Sequence, residues 1–181
     1  MKKWKTKAEG NWRADAKTQG GGELIDTGYH PTYRLLEIAG AKPAAIRGVM
    51  GRYHLDLDAE DTASVQVRFD NGVIGEILTS WAFRQPYGSH EIHVIGEQGQ
   101  LFGSGANLYY LPNDCQEPAK IQMPASSGNT FINAFQAQLA EFARCIQSGD
   151  RPPHTEEEGL AVLEIILGAA ESAEGWQSTV K

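Results

Sequence analysis

The order of hydrophobic patterns along this chain predicts an α+β domain: an open, largely antiparallel sheet with helices packed on one face. Three observations carry that reading. A helical pattern comes first, over residues 22–39. A run of short strand-like segments follows, from 45 to 123, with turn signals between them. Two longer helical patterns close the chain, over 130–148 and from 155 onward. The strand–helix alternation of a doubly wound nucleotide fold does not occur.

The first helix takes its apolar face from Leu24, Ile25, Leu35, Leu36 and Ile38, and Gly40 is a natural stop. Pro31 lies inside it, which predicts a kink or break near residues 27–31, because proline lacks an N–H and clashes with the carbonyl four residues back. Gly20-Gly21-Gly22 precedes it and marks a close approach of backbone or unusual dihedrals. Residues 45–53 form a poorly patterned strand. Residues 63–69 alternate cleanly, with Ala63, Val65, Val67 and Phe69 on one face and Ser64, Gln66 and Arg68 on the other. Asp70-Asn71-Gly72 then predicts a hairpin with a type I′ turn. The partner strand, 73–83, is apolar on both faces, so both faces are expected to be covered there. Short strands follow at 90–95, 99–103, 106–111 and 119–123. Phe131, Phe135, Leu139, Phe142 and Ile146 recur at helical spacing, and Gly149 stands where a C-cap belongs. The last helix opens at Thr155 with Glu158 completing a capping box. Its stretch Leu160 to Leu167 is apolar nearly all round and predicts a buried helix, with Gly175 as its end.

The chain has 181 residues, 41% hydrophobic and 22% charged, with a net charge of -7. Those values fit a globular domain and argue against disorder, a collagen-like chain or a membrane-spanning one. The acidic balance excludes a general nucleic-acid binder. The length suits one domain, taken as residues 1–181. Cys115 and Cys145 have no metal-knuckle or disulfide spacing and read as free thiols in a reducing compartment. The basic start, Met1-Lys2-Lys3-Trp4-Lys5, is followed by no apolar stretch, so it is no signal peptide, and a cytoplasmic location is expected. The Lys-rich first seventeen residues and the Glu-rich last thirty read as solvated surface.

No Gly-x-Gly-x-x-Gly opens a helix after a strand; Gly103-Ser104-Gly105 is only a fragment of one. No serine nucleophile elbow is present. The best constellation is Asp26 and His30, four residues apart and therefore on one face of a continuous helix. A carboxylate beside an imidazole fixes its tautomer and raises its basicity, as a group exchanging a proton with a substrate hydroxyl requires. The plainer alternative is a surface pair with no role. His54 with Asp56 reads as a solvated strand edge. His90 and His93 have opposite strand parity and cannot share a metal, and His154 precedes a helix cap. No His-x-x-x-His spacing exists, so no metal is expected; a site at Asp26, His30 and His54 is the least favoured reading. Trp12, Trp81 and Phe83 could stack on a sugar or a nicotinamide, though strand aromatics more often serve a core.

Taken in order, the motifs resemble the substrate domain of the Gfo/Idh/MocA oxidoreductases, the NAD(P)-dependent sugar and inositol dehydrogenases. They are Trp12-Arg13, Gly20-Gly21-Gly22, then Leu24-Ile25-Asp26-Thr27-Gly28-Tyr29-His30, then Leu35-Leu36 and Gly40. Glu60-Asp61-Thr62-Ala63, Val67-Arg68-Phe69-Asp70-Asn71-Gly72 and Ile92-His93-Val94-Ile95-Gly96-Glu97-Gln98-Gly99 follow. Phe135 to Phe142, Pro152, Glu157-Glu158-Gly159-Leu160 and Ser172-Ala173-Glu174-Gly175 are similar to the family's closing helices. The resemblance spans roughly residues 10–181.

It implies a dihydrodipicolinate-reductase-like C-terminal domain whose open sheet face packs on a second subunit, giving a homo-oligomer, with a dimer expected. It implies that His30, paired with Asp26, is the catalytic proton carrier at the carbon that gives up hydride. Trp12, Arg13, Tyr33 and Trp81 are the candidate substrate contacts. Tyr33 departs from a frequent pattern, since many members carry Asp three residues after the His. The family's Rossmann domain and its Glu-Lys-Pro motif have no counterpart here; Lys42-Pro43 lacks the Glu and follows the Asp-x-x-x-His segment. Two readings result. One is the substrate-binding and oligomerisation half of a sugar- or polyol-type oxidoreductase, inactive alone, with NAD(P) the cofactor of the full-length family and none expected in this chain. The other is a stand-alone binding or assembly module that kept the fold without the redox role. A small polyol or sugar is the expected ligand, with neither nucleic acid nor membrane as partner.

Overall fold

The cleanly alternating segment becomes the central strand of a sheet. The computed structural model describes residues 12–82, 91–123 and 130–174. In it β1 (Pro43–Gly51), β2 (Thr62–Phe69) and β3 (Ile74–Ser80) form an antiparallel sheet in that order. A second antiparallel sheet runs β4 (Ile92–Gly96), β5 (Gly99–Ser104), β6 (Asn107–Pro112), β7 (Ala119–Lys120). The helices are α1 (Ala16–Gln19), α2 (Glu23–Asp26), α3 (Tyr29–Ala39), α4 (Thr130–Ser148) and α5 (Glu156–Glu174), after a 3₁₀ turn at Trp12–Ala14. The fold is α+β. The chain divides into two compact units, residues 1–84 with 153–181, and residues 85–152.

The first unit is built on the inner face of its sheet. Ala63, Val65, Val67 and Phe69 are each at most 2% exposed, and Val162, Ile165, Ile166 and Ala169 of α5 pack against them with Leu24 and Ile77. Each such side chain contributes roughly 1.5–3 kcal/mol. Gly48 lets α5 cross the sheet closely: a Cβ there would lie 2.2 Å from the Ala169 carbonyl oxygen. The Gly48 N–H, on the free edge of β1, donates to Ser172 Oγ at 2.6 Å.

Three expectations need correction. The 69–73 hairpin is not type I′, since no non-glycine residue among those described has positive φ and, within the hairpin, Gly72 (+89°) alone is left-handed. Asn71 is otherwise employed: its Oδ1 accepts the Val73 N–H at 3.1 Å and its Nδ2 donates to the Ala39 carbonyl at 3.0 Å. That ties the hairpin to the end of α3. Second, β3 is not covered on both faces. Gly75 and Ile77 face the core, while Ile74 and Leu78 are 72% and 68% exposed. Third, α5 buries one side only, leaving Leu160, Leu163 and Leu167 exposed.

The second unit holds the four-stranded sheet and α4. The predicted short strands fall where β4–β7 lie; His90 and Phe83 are outside the described residues. His93, Phe102 and Tyr109 stand side by side across three strands, with neighbouring ring centroids 6.0 Å apart. Gly149, at φ +75°, ends α4 as expected, its N–H bonded to the Cys145 carbonyl. Among the described residues no helix is long and apolar enough to cross a membrane.

Candidate functional site

The candidate residues gather where the first helical pattern breaks. α2 ends at Asp26, Thr27 and Gly28 interrupt, and α3 starts at Tyr29. The break falls inside the predicted window, four residues before Pro31, and the turn there is tight enough that a Cβ on Gly28 would lie 2.6 Å from the Leu24 carbonyl oxygen. Pro31 sits in the first turn of α3, where its missing N–H costs nothing. Asp26 and His30 are therefore not on one face of a continuous helix. Among the described residues no hydrogen bond or ion pair joins them.

Asp26 is held by Arg13, whose Nε lies 3.4 Å from Oδ1. The Arg13 guanidinium carbon lies 4.2 Å from the centre of the Trp12 ring, a cation–π contact, and Trp12 is about half exposed. His30 is exposed, its ring 4.0 Å from that of Tyr29, and its backbone N–H donates to the Thr27 carbonyl. Trp81 donates its indole N–H to Thr27 Oγ1 at 2.9 Å and packs beside Leu55, Leu57 and Ala14. So Trp12, Arg13 and Asp26 form one contact chain, and Thr27 links Trp81 and His30.

Beneath the break lie buried carboxylates that the sequence reading did not single out for chemistry. Glu23 is 1% exposed and accepts the hydroxyls of Thr27 at 2.7 Å and Thr79 at 2.5 Å. Glu60 accepts the Leu24 N–H at 3.0 Å, and burial raises its pKa despite the backbone donors it receives. Asp61 is fully buried. Burial pushes its carboxyl up, but the N–H groups of Leu55, His54 and Tyr53 and the Thr62 hydroxyl outweigh it, and the net shift is downward. The Glu60-Asp61 pair was visible only as an acidic turn in the family pattern, and nothing local marks Glu23, whose partners are distant in sequence.

Tyr33 stands apart from Asp26 in its contacts. Its hydroxyl donates to Glu158 and lies 3.0 Å from His154 Nδ1, joining α3 to the start of α5. Partial burial and then the Glu158 hydrogen bond push its phenol up to about 12, and that same bond holds Glu158 low. The capping box is present in its reach-back half, with the Thr155 N–H on Glu158. These residues line a groove of about 720 Å³ with Leu36, Lys42 and Pro153.

In Gly103-Ser104-Gly105 the first two residues end β5 and Gly105 opens the β5–β6 turn: a Cβ at Gly103 would lie 2.0 Å from the Asn107 carbonyl oxygen, and a strand, not a helix, follows. No group of three or more His, Cys, Asp or Glu gathers to hold a metal among the described residues, so Asp26, His30 and His54 form no cluster.

Residues 1–102 match the family model of the GFO/IDH/MocA C-terminal domain. Over 173 residues the chain is 24% identical to scyllo-inositol 2-dehydrogenase (NAD(+)) of Bacillus subtilis, a match covering 92% of this chain and 50% of that protein. The crystal structure of aldose-aldose oxidoreductase from Caulobacter crescentus complexed with glycerol superposes with a TM-score of 0.77 at 21% identity, over 97% of this chain and 52% of that one. Levoglucosan dehydrogenase, in complex with NADH and levoglucosan, gives 0.75 at 18% identity, over 91% and 51%. The chain thus spans about half the length of these relatives, and by the family match it belongs to the GFO/IDH/MocA C-terminal domain family.

Proposed function

We propose that this chain is the substrate-binding and oligomerisation half of an NAD(P)-dependent sugar- or polyol-type oxidoreductase, working in a reducing, cytoplasmic setting as one domain. The observation that supports it most is the exposed His30 imidazole at the start of α3, four residues after a carboxylate held by Arg13. In this reading His30 takes the proton of a substrate hydroxyl. Asp26 stabilises the imidazolium once the substrate draws the two together, and Arg13 sets the carboxylate's position. Trp12 and Trp81 supply apolar faces for a sugar ring, and Tyr33 reaches the substrate from α3. In this reading the nicotinamide belongs to the cofactor domain that the full-length family carries. The relatives' names support the sugar or polyol class.

The outer face of β1–β3 is the proposed dimer surface. Ile74 and Leu78 lie exposed there, in register with Ala45 and Arg68 and with Val49 and Ser64. Sedimentation is expected to show a dimer that Leu78→Glu weakens; a clean monomer at high concentration would count against it.

The test of activity is direct. The purified chain alone should give no NAD(P)H turnover with a panel of polyols and sugars. Joined to a cofactor domain of the family it should turn one of them over, and His30→Ala should lower that rate at least 100-fold. Turnover by the chain alone, or a His30→Ala enzyme at full rate, would sink the reading. One observation favours the alternative, a binding module without redox chemistry: Asp26 is engaged by Arg13 and not by His30. That alternative predicts saturable polyol binding with no turnover even when the cofactor domain is supplied.

A further inference from the structure

Trp81 is held at both ends, and the second hold runs through the break between α2 and α3. Its backbone N–H donates to the Asp61 carbonyl at 2.9 Å, and its ring packs against Leu55, Leu57 and Ala14. At the far edge of the ring the indole N–H donates to Thr27 Oγ1 at 2.9 Å. The Thr27 hydroxyl donates in turn to Glu23 Oε1 at 2.7 Å, and that oxygen also accepts the Thr79 hydroxyl at 2.5 Å. Chemistry fixes the direction of these bonds. An indole nitrogen can only donate, and a hydroxyl has one hydrogen to give. Thr27 gives its hydrogen to Glu23, which leaves its lone pairs for Trp81. Glu23 is buried, and its own backbone N–H donates to the Glu60 carbonyl at 3.0 Å, so the chain of bonds is anchored in the interior.

We infer that Thr27 is a positioning residue for substrate binding: its hydroxyl, oriented by Glu23, fixes the attitude in which the Trp81 ring meets the substrate. The inference rests on the substrate-facing role proposed above for Trp81. A tryptophan side chain has two torsions to settle. Apolar packing alone lets the ring slide and tilt, and a bond at its far edge stops both. The ordering cost is then met on folding and not on binding. Thr27 holds His30 by a different bond. Its backbone carbonyl accepts the His30 N–H at 3.3 Å, and no side-chain change at Thr27 deletes that carbonyl. One residue therefore sets two groups of the proposed site by two separable bonds, and the hydroxyl governs the ring. A merely structural role, in which the hydroxyl does no more than satisfy a buried carboxylate, predicts a change in stability and none in binding. Thr79 separates the two cases: its hydroxyl donates to the same oxygen, while the indole N–H goes to Thr27.

Nitrogen–proton correlation NMR of the 181-residue chain reads the bond directly, with the Trp81 indole resonance assigned through Trp81→Phe. In the wild type this indole proton should exchange with water at least about tenfold more slowly than that of the half-exposed Trp12. Thr27→Val keeps the branched shape and removes the hydroxyl, so it should move the resonance upfield and abolish the slow exchange. Thr27→Ser should restore both, and Thr79→Val should leave both near wild type. In the chain joined to a family cofactor domain, Thr27→Val should raise KM about three- to tenfold with kcat within about twofold, because His30 keeps its backbone bond. Thr27→Ser should return KM to within about twofold of wild type. A fast-exchanging wild-type indole, or a resonance indifferent to Thr27→Val, would overturn the inference. So would a Thr27→Val enzyme with wild-type KM, or a loss confined to kcat. A joined wild-type chain that turns over nothing would instead sink the redox reading. The variants are then compared by titrating myo-inositol onto the chain alone and following the Trp81 indole shift. Weaker binding by Thr27→Val, restored in Thr27→Ser, supports the inference; equal affinities, or no shift at any concentration, overturn it.

Discussion

The two units solve the same problem with unequal means. In the first, a three-stranded sheet presents one apolar face and α5 covers it, so Ala63, Val65, Ile165 and Ala169 are completely buried. In the second, a four-stranded sheet of shorter strands buries little beyond Gly99 and Gly103 among the described residues, and α4 displays its apolar stripe to solvent. Sheet formation satisfies the backbone in both. Only the first adds a helix at close range, through Gly48. Backbone pairing alone does not make a core; an element at packing distance does.

That contrast can be broken by mutation. The largest effect is expected for Ile165→Ala, about 2–4 kcal/mol in urea unfolding followed by NMR, whereas Leu101→Ala on β5 should cost under about 1 kcal/mol. Equal costs would erase the distinction. Asp61→Asn should come next, about 1.5–3 kcal/mol at neutral pH, because a charge accepting three backbone N–H groups is replaced by a neutral amide. The sign follows from the lowered pKa. Asp61 contributes fully above its unfolded value of about 3.9, and the contribution is lost as pH falls through the depressed folded value. The difference between variant and wild type should therefore close in acid; a constant gap would refute the charge argument. Asn71→Ala, which unties the hairpin from α3, should cost about 0.5–1.5 kcal/mol. Smallest is Tyr33→Phe, within about 1 kcal/mol because the contact is exposed. Here the sharper reading is spectroscopic: the tyrosine ultraviolet titration should lose a component near pH 12, and loss of an ordinary one instead would remove Tyr33 from the Glu158 contact.

Period and punctuation made much of the first unit legible in the sequence. Strict alternation located β2, Gly40 and Gly149 ended their helices, and the break in the first helical pattern fell where expected. What escaped depended on partners far along the chain. Residues 73–83 looked covered on both faces because composition cannot show which side a helix reaches. The Asp26–His30 spacing assumed a continuous helix, which instead breaks at Thr27 and Gly28, and Asp26's actual partner lies thirteen residues upstream. The part-buried cluster of Thr27, Thr79 and Trp81 around buried Glu23 is held by bonds between residues up to 56 positions apart, and no local pattern announces it.

The division of the first unit between residues 1–84 and 153–181 has a consequence during synthesis. β1, β2 and β3 leave the ribosome complete, yet the residues that seal them, Val162, Ile165, Ile166 and Ala169, are translated some eighty positions later. At about 5–20 residues per second the bare sheet waits roughly 4–16 seconds for its cover. Throughout that interval Val65, Val67 and Phe69 offer a sticky strand to any passing chain. A nascent-chain chaperone should engage this protein most strongly between the completion of β3 and the arrival of α5, and release it when the last helix docks.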